Sequence, residues 1–262
     1  MTNTKLLAIA DLHGHPDHLD ALLTRAAVDI PDLSVVTLGD YVDNGPDIPG
    51  LLDRLIQLQA ERGDRFRCIL GNHDLACLRA LGFPGGAPDP QWYRRWSGRY
   101  WGWRGGSGST ARAYGASSAA SLAERMPRAH QDFLRALPWF IDTGEFVFVH
   151  AGLQAGPVTP QLQALAEKRL PDDPLHLPPP IREKTLAKVS DPAWDRVVVS
   201  GHTKRPAERA GTLSHAPNFI TPTRICLSGE LDQTGVLYAV ELPSRRIWRV
   251  DPDLTVTIRE TP

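Results

Sequence analysis

The sequence predicts an α/β fold in which two sheets pack face to face between helices, and three observations carry that expectation. Between residues 5 and 81, short β-rich runs alternate with stretches of helical periodicity, the grammar of βαβ units with a largely parallel sheet. Beyond residue 202 the pattern turns β-rich, which a second sheet would accommodate. The length, 262 residues, suffices for one sizeable core, so a single domain spanning 1–262 is expected.

Each element follows from its local pattern. Residues 6–10, 35–38 and 66–70 are apolar runs of strand length, while 16–28, 48–61 and 73–81 carry helical spacing. Residues 83–117 break the alternation. They are rich in Gly and Pro and carry Trp92, Tyr93, Trp96, Tyr100, Trp101 and Trp103 ahead of Gly105-Gly106-Ser107-Gly108, which reads as an inserted aromatic cap. Helical sequence resumes over 118–137 and leads to a strand at 146–149; a Pro-rich insertion over 159–192 precedes a strand at 197–199. The last candidates are strands near 223–228, 235–242 and 245–250, with Leu242-Pro243-Ser244-Arg245 as a hairpin turn.

Composition narrows the function classes. A formal net charge of -1 leaves no global electrostatic footprint for nucleic acid or an anionic membrane, so neither is expected as a partner. Cys68, Cys77 and Cys226 are an odd count without zinc-ribbon spacing and read as core thiols in a reducing compartment. The chain runs from Met1 straight into strand-like sequence, and no stretch approaches the ~20 apolar residues of a membrane span. A soluble, cytoplasmic protein is expected.

The chemistry sits at the strand ends. Asp11-Leu12-His13-Gly14-His15 follows the first strand, Gly39-Asp40-Tyr41-Val42-Asp43-Asn44-Gly45 the second, and Gly71-Asn72-His73-Asp74 the third; His150-Ala151-Gly152 and Gly201-His202-Thr203 follow two more. Five strand ends would deliver carboxylates, imidazoles and one carboxamide to one sheet edge, which reads as a two-metal hydrolytic site. Attack on phosphorus at neutral pH needs a strong nucleophile and compensation for phosphoryl charge, and two cations about 3.5 to 4 Å apart supply both. The donor set suits Mn, Fe or Zn, and the lack of thiolates argues against a closed structural zinc site. Asp11 and His13 would face the same way if the strand stayed extended through Leu12.

These five elements, in this order from Asp11 to His202, resemble the calcineurin-like metallophosphoesterases, and within them the protein-phosphatase branch. The resemblance implies an αββα sandwich of two mixed sheets flanked by helices. It implies two divalent or trivalent metal ions, with Asp11 and His13 on the first, Asp40 bridging, and Asn72, His150 and His202 on the second, and a metal-bound hydroxide as nucleophile. It also implies that His73 stabilises or protonates the leaving oxygen while Asp74 orients and charges its imidazole. Asp74 is equally placed to cap the helix that follows, and Asp43 is expected in a supporting or turn-forming position.

One position departs from the branch, which usually carries Arg where this chain has Asn44. A neutral amide cannot replace a guanidinium fork on a phosphate. Arg94, Arg95, Arg99 and Arg104 lie in the aromatic insertion, and Arg182 lies between the His150 and His202 elements, where it resembles the family's second phosphate-gripping arginine. Arg182 and Asn44 are therefore the expected substrate-binding positions. Gly71-Asn72-His73-Asp74, Ala113-Tyr114-Gly115, Met126-Pro127 and Leu242-Pro243-Ser244 are similar to segments of the Rhizobiales-like phosphatases, a subgroup associated with phosphotyrosine in plants.

The expected function is that of a metal-dependent phosphomonoesterase acting on phosphotyrosine or phosphoserine/threonine in proteins. The aromatic rings of the cap would stack on a phenyl group or else form a local core. The alternative is a nucleotide hydrolase similar to the symmetrical diadenosine tetraphosphatases, with adenine stacked instead. A non-catalytic module on the same fold would show a lost ligand, and none of the six is missing.

Overall fold

Every residue of the first strand, β1 (Leu6–Ile9), is buried, because both of its faces are covered. Leu7 and Ile9 point toward helices while Leu6 and Ala8 point toward a second sheet, the period-two alternation of a strand with two apolar sides. A computed structural model describes residues 5–30, 32–98, 108–171, 176–209 and 218–260. Tyr100, Trp101, Trp103, Arg99, Arg104 and His215 lie outside them.

The remaining strands are β2 (Ser34–Thr37), β3 (Phe66–Cys68), β4 (Phe140–Asp142), β5 (Phe146–Val149), β6 (Val197–Ser200), β7 (Phe219–Ile220), β8 (Arg224–Cys226), β9 (Leu237–Leu242), β10 (Ile247–Val250) and β11 (Val256–Arg259). They form a six-stranded sheet in the order β11-β10-β9-β1-β2-β3 and a five-stranded sheet in the order β4-β5-β6-β8-β7. β1, β2 and β3 pair in parallel, as do β5, β6 and β8, and antiparallel strands extend both sheets. The two sheets are therefore mixed. Val36, Leu38, Phe148, Val199 and Ile225 belong to the apolar layer between them.

Helices cover the outer faces: α1 (Pro16–Asp29), α2 (Ile48–Arg62), α3 (Asn72–Ala80), α4 (Pro90–Ser97), α5 (Gly108–Ala113), α6 (Ala119–Arg125), α7 (Arg128–Ala136), α8 (Val158–Ala166) and α9 (Pro179–Arg182). α1 buries Leu19, Leu22, Leu23 and Ala26, and α2 buries Leu51, Leu52, Leu55 and Leu58, each a 3–4 spaced stripe turned to the core. The parallel strands with crossover helices direct their C-terminal ends to one edge, so residues 10–15, 39–45, 71–74, 150–152 and 201–203 all emerge there.

Local departures have local causes. The expected helix over 118–137 is two helices, because Pro127 supplies no N–H and Met126 before it is extended at ψ 122°. β4 and β11 are short strands that the apolar pattern did not mark. Of the aromatic insertion, Trp92, Tyr93 and Trp96 are buried in the same core as the residues of α2 and α3. The three described rings are thus packing groups. His18 is buried, its Nε2 donating to the carbonyl of Gly235. The three cysteines are buried free thiols, and burial pushes Cys68 up to about 12, which keeps it protonated and inert. Among the described residues no helix is long and apolar enough to cross a membrane.

Candidate functional site

β1 stops at Ile9, so Asp11 and His13 are not aligned by strand alternation. His13 instead turns into the left-handed region at φ 37°. Asp40 (φ 57°), Asp43 (φ 68°), Asn44 (φ 66°) and His202 (φ 64°) share that conformation, which costs L residues energy and is retained where the surroundings over-determine it. Gly71 makes one such approach possible: a Cβ there would lie 2.2 Å from the backbone nitrogen and Oδ1 of Asp40.

Asp11, His13, Asp40, Asn72, His150 and His202 are all buried and converge. His13 Nε2 lies 3.7 Å and His150 Nε2 3.3 Å from Asp40 Oδ2, and His150 Nε2 is 3.0 Å from Asn72 Oδ1. The rings of His150 and His202 sit 5.0 Å apart, and the backbone N–H of His202 donates to Asp11 Oδ1 at 2.9 Å. Two groups of ligand atoms lie within 4.8 Å of one another, His13, Asp40 and His73 in one and Asp40, His150 and His202 in the other. Asp40 belongs to both.

The residues fit a cation by three tests. Asp11 Oδ2 is buried without a hydrogen-bond partner among the described residues, an expensive state for a carboxylate oxygen unless a cation meets it. Each of the three histidines donates one ring N–H to a main-chain carbonyl: His13 Nδ1 to Val42 at 3.0 Å, His150 Nδ1 to Leu38 at 2.6 Å, and His202 Nε2 to Arg182 at 2.8 Å. That contact fixes the tautomer and leaves the other nitrogen for the cluster, the usual arrangement behind a metal-ligating imidazole. The donors are oxygens and imidazoles without thiolate, which suits borderline or hard divalent ions.

Charges in this cluster shift one another. Burial raises Asp11 above the usual carboxylate range, an effect that His150 opposes. Burial would raise Asp40 too, but the positive charges of His150 and His73 hold it well below that range. Burial would lower His150, and Asp40 and Asp11 overcome this and lift it to about 9. Burial and the charge of His150 keep His202 well below the ordinary histidine value.

The orientation of His73 departs from the expectation. Its Nδ1 donates to Asp43 Oδ2 at 2.8 Å, so Asp43, not Asp74, orients the imidazole. Asp74 spends both oxygens on main-chain donors: Oδ2 accepts from Asp40 N and Gly71 N, and Oδ1 from Tyr41 N and Val42 N, at 2.8 to 3.2 Å. It therefore caps α3 and holds the Asp40–Val42 turn in shape. Burial would lower His73, but Asp40 and Asp43 outweigh it and raise it to about 9. Asn44 points its amide at His13 Nε2, 3.5 Å away, and Arg182 ends α9 half-buried, its carbonyl on His202.

Sequence reasoning missed three supports. Asp43 also accepts from Trp96 Nε1 at 2.7 Å and Thr110 Oγ1 at 2.5 Å, so the 83–117 segment braces the carboxylate that braces His73. A buried indole needs an acceptor, a signal that could mark Trp96 but not name its partner. Arg224, fully buried, donates to Ala151 O at 3.3 Å and Ser200 Oγ at 2.6 Å, tying together the loops that carry His150 and His202. Trp96→Phe keeps most of the apolar contact and deletes one charge-assisted donor. It should cost about 1.5 to 3 kcal/mol in thermal or denaturant unfolding, together with a fall in kcat as His73 loosens; unchanged stability and kcat would remove the brace from the account.

A family model described as calcineurin-like phosphoesterase matches residues 4–227. A symmetrical bis(5′-nucleosyl)-tetraphosphatase of Nitrosomonas europaea is 29% identical over 161 residues, 62% of this chain and 49% of that protein. Another, of Ralstonia nicotianae, is 42% identical over 71 residues, 27% of this chain and 23% of that one. The chain thus spans half the length or less of these curated relatives. Among solved structures, a proposed diadenosine tetraphosphatase aligns with TM-score 0.59 and 21% identity, over 95% of this chain and 94% of that one. A cold-active protein-tyrosine phosphatase of a Shewanella species aligns with TM-score 0.52 and 17% identity, over 98% and 82%. Both likenesses are likenesses of fold.

Proposed function

On the premise that the chain belongs to the calcineurin-like phosphoesterase family, we propose that it hydrolyses a phosphoanhydride of the symmetrical bis(5′-nucleosyl) tetraphosphate class. The observation that carries the hydrolytic reading is Asp40, the one carboxylate common to both donor groups. In the set that the family resemblance implies, Asp11, His13 and Asp40 would hold one cation and Asp40, Asn72, His150 and His202 the other; the unpartnered Asp11 Oδ2 and the Asn72 Oδ1 3.0 Å from His150 Nε2 support adding these two to the donor groups. Bound there, two cations would supply a strong nucleophile at neutral pH and compensation for phosphoryl charge.

The chain's own groups do the rest. His73, raised to about 9 by Asp40 and Asp43 against the effect of burial, carries a proton at pH 7 for the leaving oxygen. Asp43 fixes the ring through Nδ1, which turns Nε2 toward the reacting group. Asp74 keeps the backbone at Asp40 in the conformation that aims its carboxylate at both donor groups.

The class of substrate rests on the activity named for the two tetraphosphatases to which the chain is similar. Phosphoproteins remain the second reading, supported by the motif order of the protein-phosphatase branch. Trp92, Tyr93 and Trp96 favour neither, since their burial withdraws them from stacking on phenyl and adenine alike. With Mn added, diadenosine tetraphosphate should give two equivalents of ADP with a kcat/KM above that for phosphotyrosine and phosphoserine peptides. The reverse ranking would install the second reading.

Metal uptake should be linked to protons. Counting protein groups alone, Asp40 and Asp11 overcome burial to lift His150 to about 9, so at pH 7 its Nε2 is protonated and must lose that proton to bind a cation. Titrating the apo protein with Mn in weak buffer should therefore release protons near pH 7. The release should shrink, and apparent affinity should rise, as pH approaches about 9. An indicator dye reads the first and equilibrium dialysis the second; pH-independent uptake would contradict the assignment of His150 as a ligand.

A further inference from the structure

Asp43 orients His73, and Thr110 grips Asp43 twice: Thr110 Oγ1 accepts from the backbone N–H of Asp43 at 2.9 Å and donates to Asp43 Oδ1 at 2.5 Å. Thr110 is fully buried on α5, a helix of six residues of which only Thr110 and Ala111 are buried. So short a helix does not hold itself together in water, and its place must come from its neighbours. It lies against α2 and α4.

Tyr114 lies one helical turn beyond Thr110 and donates its backbone N–H to the carbonyl of Thr110 at 3.2 Å, so a shift of one is felt by the other. Burial pushes the Tyr114 phenol up, which keeps its O–H as a donor, and that hydroxyl lies 2.8 Å from His130 Nδ1 on α7. The two rings meet edge to face, 5.9 Å apart. His130 is buried, and its Nε2 donates at 2.8 Å to Oδ1 of Asp53, a solvent-exposed carboxylate on α2. An imidazole held at both nitrogens has one ring orientation, and it fixes the phenol in turn. Phenylalanine at 114 would offer the same ring contact; only the hydroxyl supplies the directional link.

Resting on the hydrolytic reading above, we propose that Asp53, His130 and Tyr114 are positioning residues for the reaction: from α2 and α7 they set the end of α5, Thr110 then sets Asp43, and Asp43 aims the His73 ring. The chain serves the delivery of a proton by His73 rather than the holding of cations. Ala113-Tyr114-Gly115, a segment without a place in the donor groups, thereby gains a task in the chemistry.

Tyr114→Phe is expected to lower kcat about twofold to tenfold, the effect of one lost hydrogen bond, at unchanged KM and metal content. The loss stays modest because Trp96 still holds Asp43 Oδ2. Asp53→Ala, at an exposed position whose truncation leaves the core intact, should lower kcat in the same direction. The deciding comparison is between backgrounds. In His73→Asn, and equally in Thr110→Val, Tyr114→Phe should lower kcat no further, because the path is already cut. A merely structural role would reduce kcat by the same factor in every background, and that result overturns the proposal. A second readout needs no turnover. In Zn-loaded protein with isotope-labelled histidine, the Nδ1–H proton of His73, identified by its loss in His73→Asn, should exchange with water faster in Tyr114→Phe and Asp53→Ala than in the wild type. Exchange unchanged in both variants sinks the positioning chain. A wild type that hydrolyses no phosphoester or anhydride while this proton responds to Tyr114→Phe defeats the proposed function alone, and an active enzyme whose kcat is indifferent to Tyr114→Phe defeats the chain alone.

Discussion

Asp40→Asn is expected to lower turnover by at least about 10³-fold and to reduce bound metal at the same time. Losing a single preorganised electrostatic contact in an active site costs on the order of 10²- to 10³-fold, and Asp40 serves both donor groups, 3.3 Å from His150 and 3.7 Å from His13. The substitution is isosteric and Asn retains an oxygen for the backbone N–H of His73, now 2.9 Å from Oδ1. A fold defect should therefore be small, which circular dichroism would check. Mass-spectrometric metal counting on the dialysed variant, beside its kcat, reads the outcome. Near-normal activity with a full complement of metal would sink the shared-carboxylate reading.

His73→Asn should lower kcat by roughly 10² to 10⁴, the range for a lost general acid or base, while leaving metal content nearly intact. Asp43 would not be stranded, because Trp96 and Thr110 continue to donate to it. The loss should be larger for an alkyl ester than for a phenolic ester of low leaving-group pKa, since only the poorer leaving group needs a proton. An equal loss on both argues against leaving-group protonation. The pH profile gives a second reading. Burial lowers His73, and Asp40 and Asp43 more than reverse this to about 9. Bound cations would bring it down again, so activity that needs the protonated ring should fall as pH rises through a limb at or below about 9. That limb should be absent from His73→Asn.

Most strands, and the convergence of Asp11, His13, Asp40, Asn72, His150 and His202 at one sheet edge, were legible because βαβ periodicity and residue position reinforce one another: each of the six sits just beyond an apolar run whose pairing is parallel. The partner of His73 was not legible. Asp74 is its neighbour in sequence, but as the third residue of α3 it turns back toward the amides of Gly71 and of Asp40 to Val42. Asp43 reaches the imidazole only through a turn in which Asp40, Asp43 and Asn44 are left-handed, and nothing in the residue pattern announces that turn. Trp96 and Thr110 are 53 and 67 positions from Asp43, contacts that only the tertiary fold defines. Aromatic content in 83–117 left open a stacking surface or a local core, and helical spacing at 92, 93 and 96 turned those rings to the core.

On the function proposed above, two cations would share the Asp40 carboxylate. Anomalous diffraction from crystals equilibrated with Mn tests this directly, because it locates each ion independently of any assay. Two peaks are predicted, both within bonding reach of Asp40, one flanked by Asp11 and His13 and the other by Asn72, His150 and His202. A single peak, or a pair of which one does not touch Asp40, would contradict the account.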